Sequence, residues 1–262
     1  MLFREDQGGL IVVMQPTHAW VSGQLARAWG NAEFVSVEPW EEVCLGATLH
    51  DLGWEGWEQR PTLHPRTGRP RRFFELPTDE HVGIWRGASR RALTYGRYPA
   101  LLVSLHVSGL YQRHDYTEDT PAEAQTARDF LAQESTFQEE LLASLRAEPR
   151  YARTASPDAV RRNQRLVAVW DRLSLALCAG LKAPLAVPDV PTATGAAELT
   201  LSPTASGVEV TPWPFRTPQL SLIAEGRRLP NTLTNQEELR TALATAPWTS
   251  FAVELSPAAA LL

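Results

Sequence analysis

Six residues in this chain have the types and spacing to do chemistry: His18, the adjacent pair His50-Asp51, His81, His106 and Asp171. The pair closes an apolar run in "EEVCLGATLHDLGWEGW" (41–57), and two tryptophans follow it. An imidazole and a carboxylate buried side by side destabilise a fold unless something satisfies both. Asp171 poses the same problem in "LVAVWDRLSLALC", where Arg172 is its adjacent ion-pair candidate. Unpaired there, the carboxylate would cost several kcal/mol or take up a proton. Taken singly, His18, His81 and His106 read as satisfied core histidines. Taken together, a cation answers for all of them. Imidazoles and carboxylates in this mixture suit iron, manganese, zinc or nickel, whereas calcium and magnesium prefer all-oxygen shells. Six ligands exceed what one catalytic ion with an open position needs. Two divalent transition metals sharing one carboxylate would use all six and leave room for a bridging water. A second dipeptide, His114-Asp115 in "QRHDYTEDT", reads as a solvated helix end.

Helices must carry these groups, each on a different one except the adjacent pair. "THAWVSGQLARAWG" spaces Trp20, Leu25 and Trp29 helically and stops at Gly30-Asn31. A second helix is predicted over 39–52, with Pro39 in the first turn, and a third over 78–96, with Thr78 or Asp79 as N-cap. A mostly apolar, buried helix follows over 98–114, then a long amphipathic one over 121–147 and a last one over 158–181. Strands are predicted at both ends. "MLFREDQGGLIVVMQ" reads as a hairpin around Asp-Gln-Gly-Gly, while "AELTLSP", "GVEVTPW", "QLSLIAEGRRL" and "SFAVELSP" alternate in period two. "KAPLAVPDVPTATGA" between them reads as a linker or an extended crossing. The expected fold is mainly α, a helical bundle (1–187) with a small antiparallel β appendage (188–262), the N-terminal hairpin pairing with the C-terminal strands. The two parts can form one compact domain.

Composition narrows the function. The chain has 262 residues, 44% hydrophobic, with net charge -5. It has no basic stripe to displace counterions, so nucleic acid is not an expected partner. Cys44 and Cys178 lie far apart in apolar stretches and read as buried thiols in a reducing compartment. The N-terminus lacks the apolar core of a signal peptide. No run approaches membrane-spanning length, so no membrane partner is expected. The expected setting is cytoplasmic.

The order H…HD…H…H…D on successive helices resembles the HD-domain superfamily of metal-dependent phosphohydrolases in its two-metal form. "ATLHDLGW" is similar to that superfamily's apolar-run-HD-[IL]-G signature, and "VWDRLS" resembles its closing helix. The resemblance covers roughly residues 15–181. It is nearest to an uncharacterised bacterial family with an HD-x-G-W-x-x-W-E stretch, here "HDLGWEGWE". It implies an HD-type helical domain in which His18, His50, Asp51 and Asp171 hold one metal, and Asp51 bridges to a second completed by His81 and His106. The bridging water would be the nucleophile, activated by both ions, which would also clamp phosphoryl oxygens. Two departures matter. The Gly-Tyr-Pro signature of the cyclic-di-GMP-hydrolysing branch is absent, and Trp54 stands where a lysine often follows. Cyclic-di-GMP is therefore not the expected substrate.

Other residues could line such a site. Glu55 and Glu58 could shuttle protons or orient ligands, or be exposed charges past a helix end. Arg86 and Arg90, spaced i, i+4, could grip phosphate, or form a solvated face. Trp54, Trp57 and Trp85 could stack on a base or sugar, or simply pack. The "RTGRPRRFF" loop could close over an anionic substrate; His64 in it is given no role. The leading expectation is hydrolysis of a small phosphomonoester or nucleotide-like phosphodiester. The alternative is a di-iron oxygenase cleaving a C–C or C–P bond, since the same ligands accept iron in either role. The third is a non-enzymatic small-molecule sensor or scaffold. The C-terminal strands would cover a helical face or make a homodimer contact, with Trp213 and Phe215 in "TPWPFRTPQ" as an edge or lid.

Overall fold

The computed structural model describes residues 1–6, 8–230 and 232–258. A hairpin of β1 (Leu2–Asp6) and β2 (Gly9–Val13) opens the chain. Gln7, part of the Asp-Gln-Gly-Gly turn expected from the sequence, lies outside the described residues. Helix α1 (Gln15–Ala28) follows with Pro16 in its first turn, where a missing N–H costs nothing. It buries His18, Val21, Ser22 and Leu25 along one face. Helix α2 (Trp40–Leu49) starts after Pro39, and a 3-10 turn (Leu52–Trp54) and the single-turn helix α3 (Glu55–Glu58) continue it.

The helix predicted over 78–96 is instead two, α4 (Thr78–Trp85) and α5 (Ala88–Ala92). Gly87 breaks it by adopting φ +82, a conformation that glycine takes without strain. Pro77, not Thr78 or Asp79, occupies the N-cap. Helix α6 (Arg97–Gln112) is buried along most of its length, α7 (Pro121–Arg146) begins with a Thr120/Glu123 capping box, and α8 (Pro157–Ala179) is capped by Ser156. Helices α1, α2, α6 and α8 pack on one another. The approach of α2 to α6 needs Gly46, where a Cβ would fall 2.7 Å from Leu102 Cδ1.

The remaining elements are β3 (Leu185–Pro191), β4 (Ala196–Thr204), β5 (Gly207–Thr211), β6 (Leu220–Leu229), α9 (Gln236–Thr245) and β7 (Trp248–Pro257). Among the described residues, seven strands form one curled sheet, a half-barrel in the order β1-β2-β6-β7-β5-β4-β3. The expectation of an all-α or mainly-α protein with a small β appendage is thereby corrected: the chain is mixed, 50% helical and 21% strand. The hairpin does join the C-terminal strands, through Leu10 opposite Leu229 and Val12 opposite Arg227. The sheet is not wholly antiparallel, because β5 runs parallel to β7.

Two elements went unpredicted. The proline-rich stretch read as a linker or an extended crossing contains the edge strand β3, where Pro188 and Pro191 need donate nothing to a ladder and a bulge separates Val187 from Val190. Helix α9 sits among strands, with Asn235 as its cap. Helices α1 and α8 lie against the sheet. Trp29 and Trp170, both fully buried, meet edge to face at 5.7 Å, and Phe215 packs on Trp29 at 5.6 Å. Trp213 and Phe215 therefore anchor the sheet to the helices and do not form a free edge; Phe215 is buried and Trp213 packs on it at 4.9 Å. No helix among the described residues is long and apolar enough to cross a membrane.

Candidate metal centre

Five of the six residues meet where α1, the end of α2, α6 and α8 converge. His18 lies one turn into α1, and His50 caps α2 with Asp51 next to it. His106 lies in the middle of α6, and Asp171 comes from α8. His18 Nε2 is 2.6 Å from Asp51 Oδ2. His50 Nε2 is 3.4 Å from Asp171 Oδ1 and 3.8 Å from Asp51 Oδ1, and His106 Nε2 is 3.9 Å from Asp51 Oδ1. The ligand atoms fall into two groups, His18/His50/Asp51 and His50/His106/Asp171, each within 4.8 Å. Arg172, the candidate partner of Asp171, donates instead to the carbonyl of Ala186.

Hydrogen bonding sets the tautomers. His50 Nδ1 is 2.7 Å from the Ala47 carbonyl, which can only accept, so Nδ1 carries a proton and Nε2 is the nitrogen that faces inward. That Nε2 is buried and has no hydrogen-bond partner. Ser174 Oγ donates to the Asp171 carbonyl and lies 2.9 Å from His18 Nδ1, leaving His18 Nε2 to face Asp51. Ser22 Oγ, 2.8 Å from Ser174 Oγ, extends this bracket. Ligands about 2.1 Å from a shared ion stand at most about 4.2 Å apart. The separations of 3.4–3.9 Å therefore fit a transition metal with little movement.

The electrostatics agree. Burial opposes ionisation of Asp51 and Asp171, but the surrounding histidines outweigh it and hold both below the usual carboxylate range. Burial opposes charge on His50, yet the Asp51 and Asp171 carboxylates raise it to about 9. Burial, with the charge on His50, lowers His106 to about 4, so it stays a neutral donor.

His81 is not brought into either group. Its Nδ1 is 2.7 Å from the Tyr111 hydroxyl, and its Nε2 accepts the Trp85 indole N–H at 3.3 Å. Burial holds it, too, neutral, at about 4. Trp54 and Trp85 are buried and wall this side, with ring centroids 5.4 and 6.1 Å from that of His81. Packing is thus their role here. Trp57 is half-buried and donates its indole N–H to Glu80 at 2.8 Å.

Arg90 pairs with the buried Glu134 and stacks over Phe137, so its charge is committed within the fold. Arg86 is exposed, between a cleft shared with Glu134 and another shared with Glu55 and Trp57. Glu55 is likewise exposed. In the "RTGRPRRFF" loop, His64 Nδ1 accepts the Arg66 N–H at 3.3 Å.

Glu58 is buried, and both its oxygens accept the backbone N–H of Gln15 at 2.9 Å, with the Met1 amino group 3.5 Å away. Gln15 opens α1, so this carboxylate satisfies an orphan N–H and meets the positive end of the helix that carries His18. Glu58 is thus a positioning residue, reached from 43 positions away. Burial pushes its pKa up to about 7. Between the ordinary carboxylate value and about 7 the folded chain holds a proton that the unfolded chain has lost. Stability therefore falls as pH rises through that window, by up to about 3 kcal/mol. Glu58→Gln is expected to remove this slope. Urea unfolding of both chains at pH 4.5 and 7.5 would show it as a wild-type loss absent from the variant.

The serines were readable after the fact. Ser22 follows His18 by four positions and Ser174 follows Asp171 by three, the spacings that share a helix face. Tyr111 had no such signal, because its partner His81 lies on another helix.

Residues 1–231 match the model of a family described as Protein of unknown function, DUF3891. The chain belongs to that family. The match is not to an HD-domain family, so HD-domain membership is not established by it. No curated protein and no solved structure matches the chain. The DUF3891 match runs from β1 past β6, taking in all six candidate ligands and most of the sheet.

Proposed function

We propose that this DUF3891 chain is a metal-dependent phosphohydrolase that acts in the cytoplasm on a small phosphoester, with its HD-like ligand order as part of the proposal. The supporting observation is His50 Nε2: a buried ring nitrogen with no hydrogen-bond partner, 3.4 and 3.8 Å from two ionised carboxylates and flanked by two further imidazoles. Removing it from water would be unfavourable unless a cation repaid the cost. His18, His50, Asp51 and Asp171 would hold the first ion, of iron, manganese, nickel or zinc. A second, held by Asp51 with His106 and His81, requires His81 to release the Trp85 N–H. Such ions supply an activated water and charge stabilisation for phosphoryl oxygens. Ser174 holds the His18 ring in place, and Glu58 fixes the start of its helix. Asp171, its side chain 16% exposed, is the most open of the five clustered residues to an incoming substrate.

The test is metal analysis of protein purified without chelator, beside hydrolysis of a chromogenic phosphomonoester with added manganese or nickel. Bound metal in stoichiometric amount, with activity lost to chelator and restored by the ion, is expected. His81→Ala losing one of two equivalents would place the second ion. A wild-type chain without metal, or hydrolysis indifferent to chelator, would overturn the reading. Iron with dioxygen consumption and no hydrolysis would transfer it to an oxygenase.

A further inference from the structure

One groove reaches the cluster from outside, between α6 and α8, with a volume of about 210 Å³. His106 lines it, only 5% exposed, and its ring makes no side-chain hydrogen bond among the described residues. Arg113 lies two turns further along α6 on the same face. From α8 come Arg161, Gln164, Arg165 and Ala168, spaced i, i+3, i+4 and i+7. The next turn of that α8 face carries Asp171. The groove is therefore continuous by helical geometry with the candidate metal centre. Its lining holds three arginines and no carboxylate, in a chain of net charge -5.

The arginines are not equivalent. Arg165 donates to the carbonyls of Pro188 and Asp189 in β3, which fix its guanidinium in the wall. Arg161 has only the exposed Asp158 on its own helix, at 3.5 Å. The Arg113 guanidinium has no hydrogen bond or ion pair among the described residues, although its backbone N–H caps α6. Two guanidinium groups thus line the groove with no more than one exposed ion pair between them, beside the buried His106 imidazole. A planar fork of donors recognises phosphoryl oxygens in pairs.

We propose that the α6–α8 groove is an anion subsite that receives the phosphoryl dianion of a small phosphomonoester, with Arg113 and Arg161 as its specificity-determining residues. This rests on the metal-dependent reading above and narrows its substrate class. The volume admits a phosphoryl group and a few attached atoms, not a dinucleotide, and two guanidinium groups match a dianion better than the single charge of a phosphodiester.

The probe is inorganic phosphate, titrated calorimetrically into chelator-treated full-length protein at low ionic strength. Saturable one-to-one binding is expected, weakened at least about tenfold in Arg113→Gln/Arg161→Gln and by added salt. Arg128→Gln, an exposed arginine on α7, serves as the control and is expected to bind like wild type. Absence of saturable binding, unchanged affinity in the double variant, or equal weakening in the control would each overturn the subsite. Metal content of untreated wild-type and double-variant protein is measured in parallel and is expected to be the same. A wild type devoid of metal would overturn the hydrolase reading instead, and the phosphate titration would still decide the groove by itself.

Discussion

Asp51→Asn is expected to leave the cluster nearly free of metal and to lower hydrolysis by more than about 10³-fold. Asp51 contributes a carboxylate that faces three imidazoles, at 2.6 Å from His18, 3.8 Å from His50 and 3.9 Å from His106. Asparagine keeps the volume but removes the charge that holds a cation among neutral donors. Elemental analysis measures the loss, and circular dichroism establishes that the variant is folded. Full metal retention by a folded Asp51→Asn chain would refute the assignment. A pH dependence accompanies it. His50 keeps its proton up to about 9 because of the nearby carboxylates, and a metal must displace that proton. Affinity is therefore expected to rise about tenfold per pH unit between pH 6 and 8. Competitive metal titration against a coloured chelator would reveal a flat profile if His50 were not a ligand.

Trp29→Ala is expected to destabilise the fold by about 3–5 kcal/mol, the usual range for deleting a buried tryptophan. Trp29 is fully buried at the end of α1 and meets Phe34, Trp170 and Phe215 edge to face at 5.6–5.7 Å. It ties helix to sheet twice over, since it also forms a backbone bridge with Phe215. At about 2–4 °C per kcal/mol for a chain of this size, the melting temperature would drop by roughly 6–20 °C. Differential scanning calorimetry checks this. Trp29→Phe retains one aromatic ring in the same place and should lose much less. A fall in metal content without a change in Tm would contradict a purely packing role.

The helices and most of the clustered His/Asp residues were legible because both obey local rules. Apolar residues at intervals of three and four mark a buried face, and a polar group on such a face is conspicuous whatever lies opposite it. His81 shows the limit of that reasoning. Its helix is real and its side chain half-buried, but Tyr111 and Trp85 engage both its nitrogens, a fact that depends on how α4, α5 and α6 pack. Glu58 is a similar case. The sequence marks it as a charge after a helix, while the fold seals it under the start of α1. The size of the sheet escaped for a third reason. Strand β3 contains prolines that normally speak against a strand, and only its edge position makes them tolerable. Helix α9 did carry a readable start, with Asn235 three positions before Glu238, but the alternating strands on either side dominated the reading.

The hydrogen bonding of β2 to β6 has a consequence for how the chain reaches its native state. Leu10 waits for Leu229, so the sheet cannot close until more than two hundred further residues have been made. All six candidate ligands have already been synthesised by the end of α8, yet Trp29 and Trp170 still lack the cover that Phe215 brings. Pairings this distant in sequence slow folding, and a fragment cut after Ala179 would expose indoles that belong in the interior. Capture of the proposed ions is thus expected late, after closure of a half-barrel that carries none of the six candidate ligands.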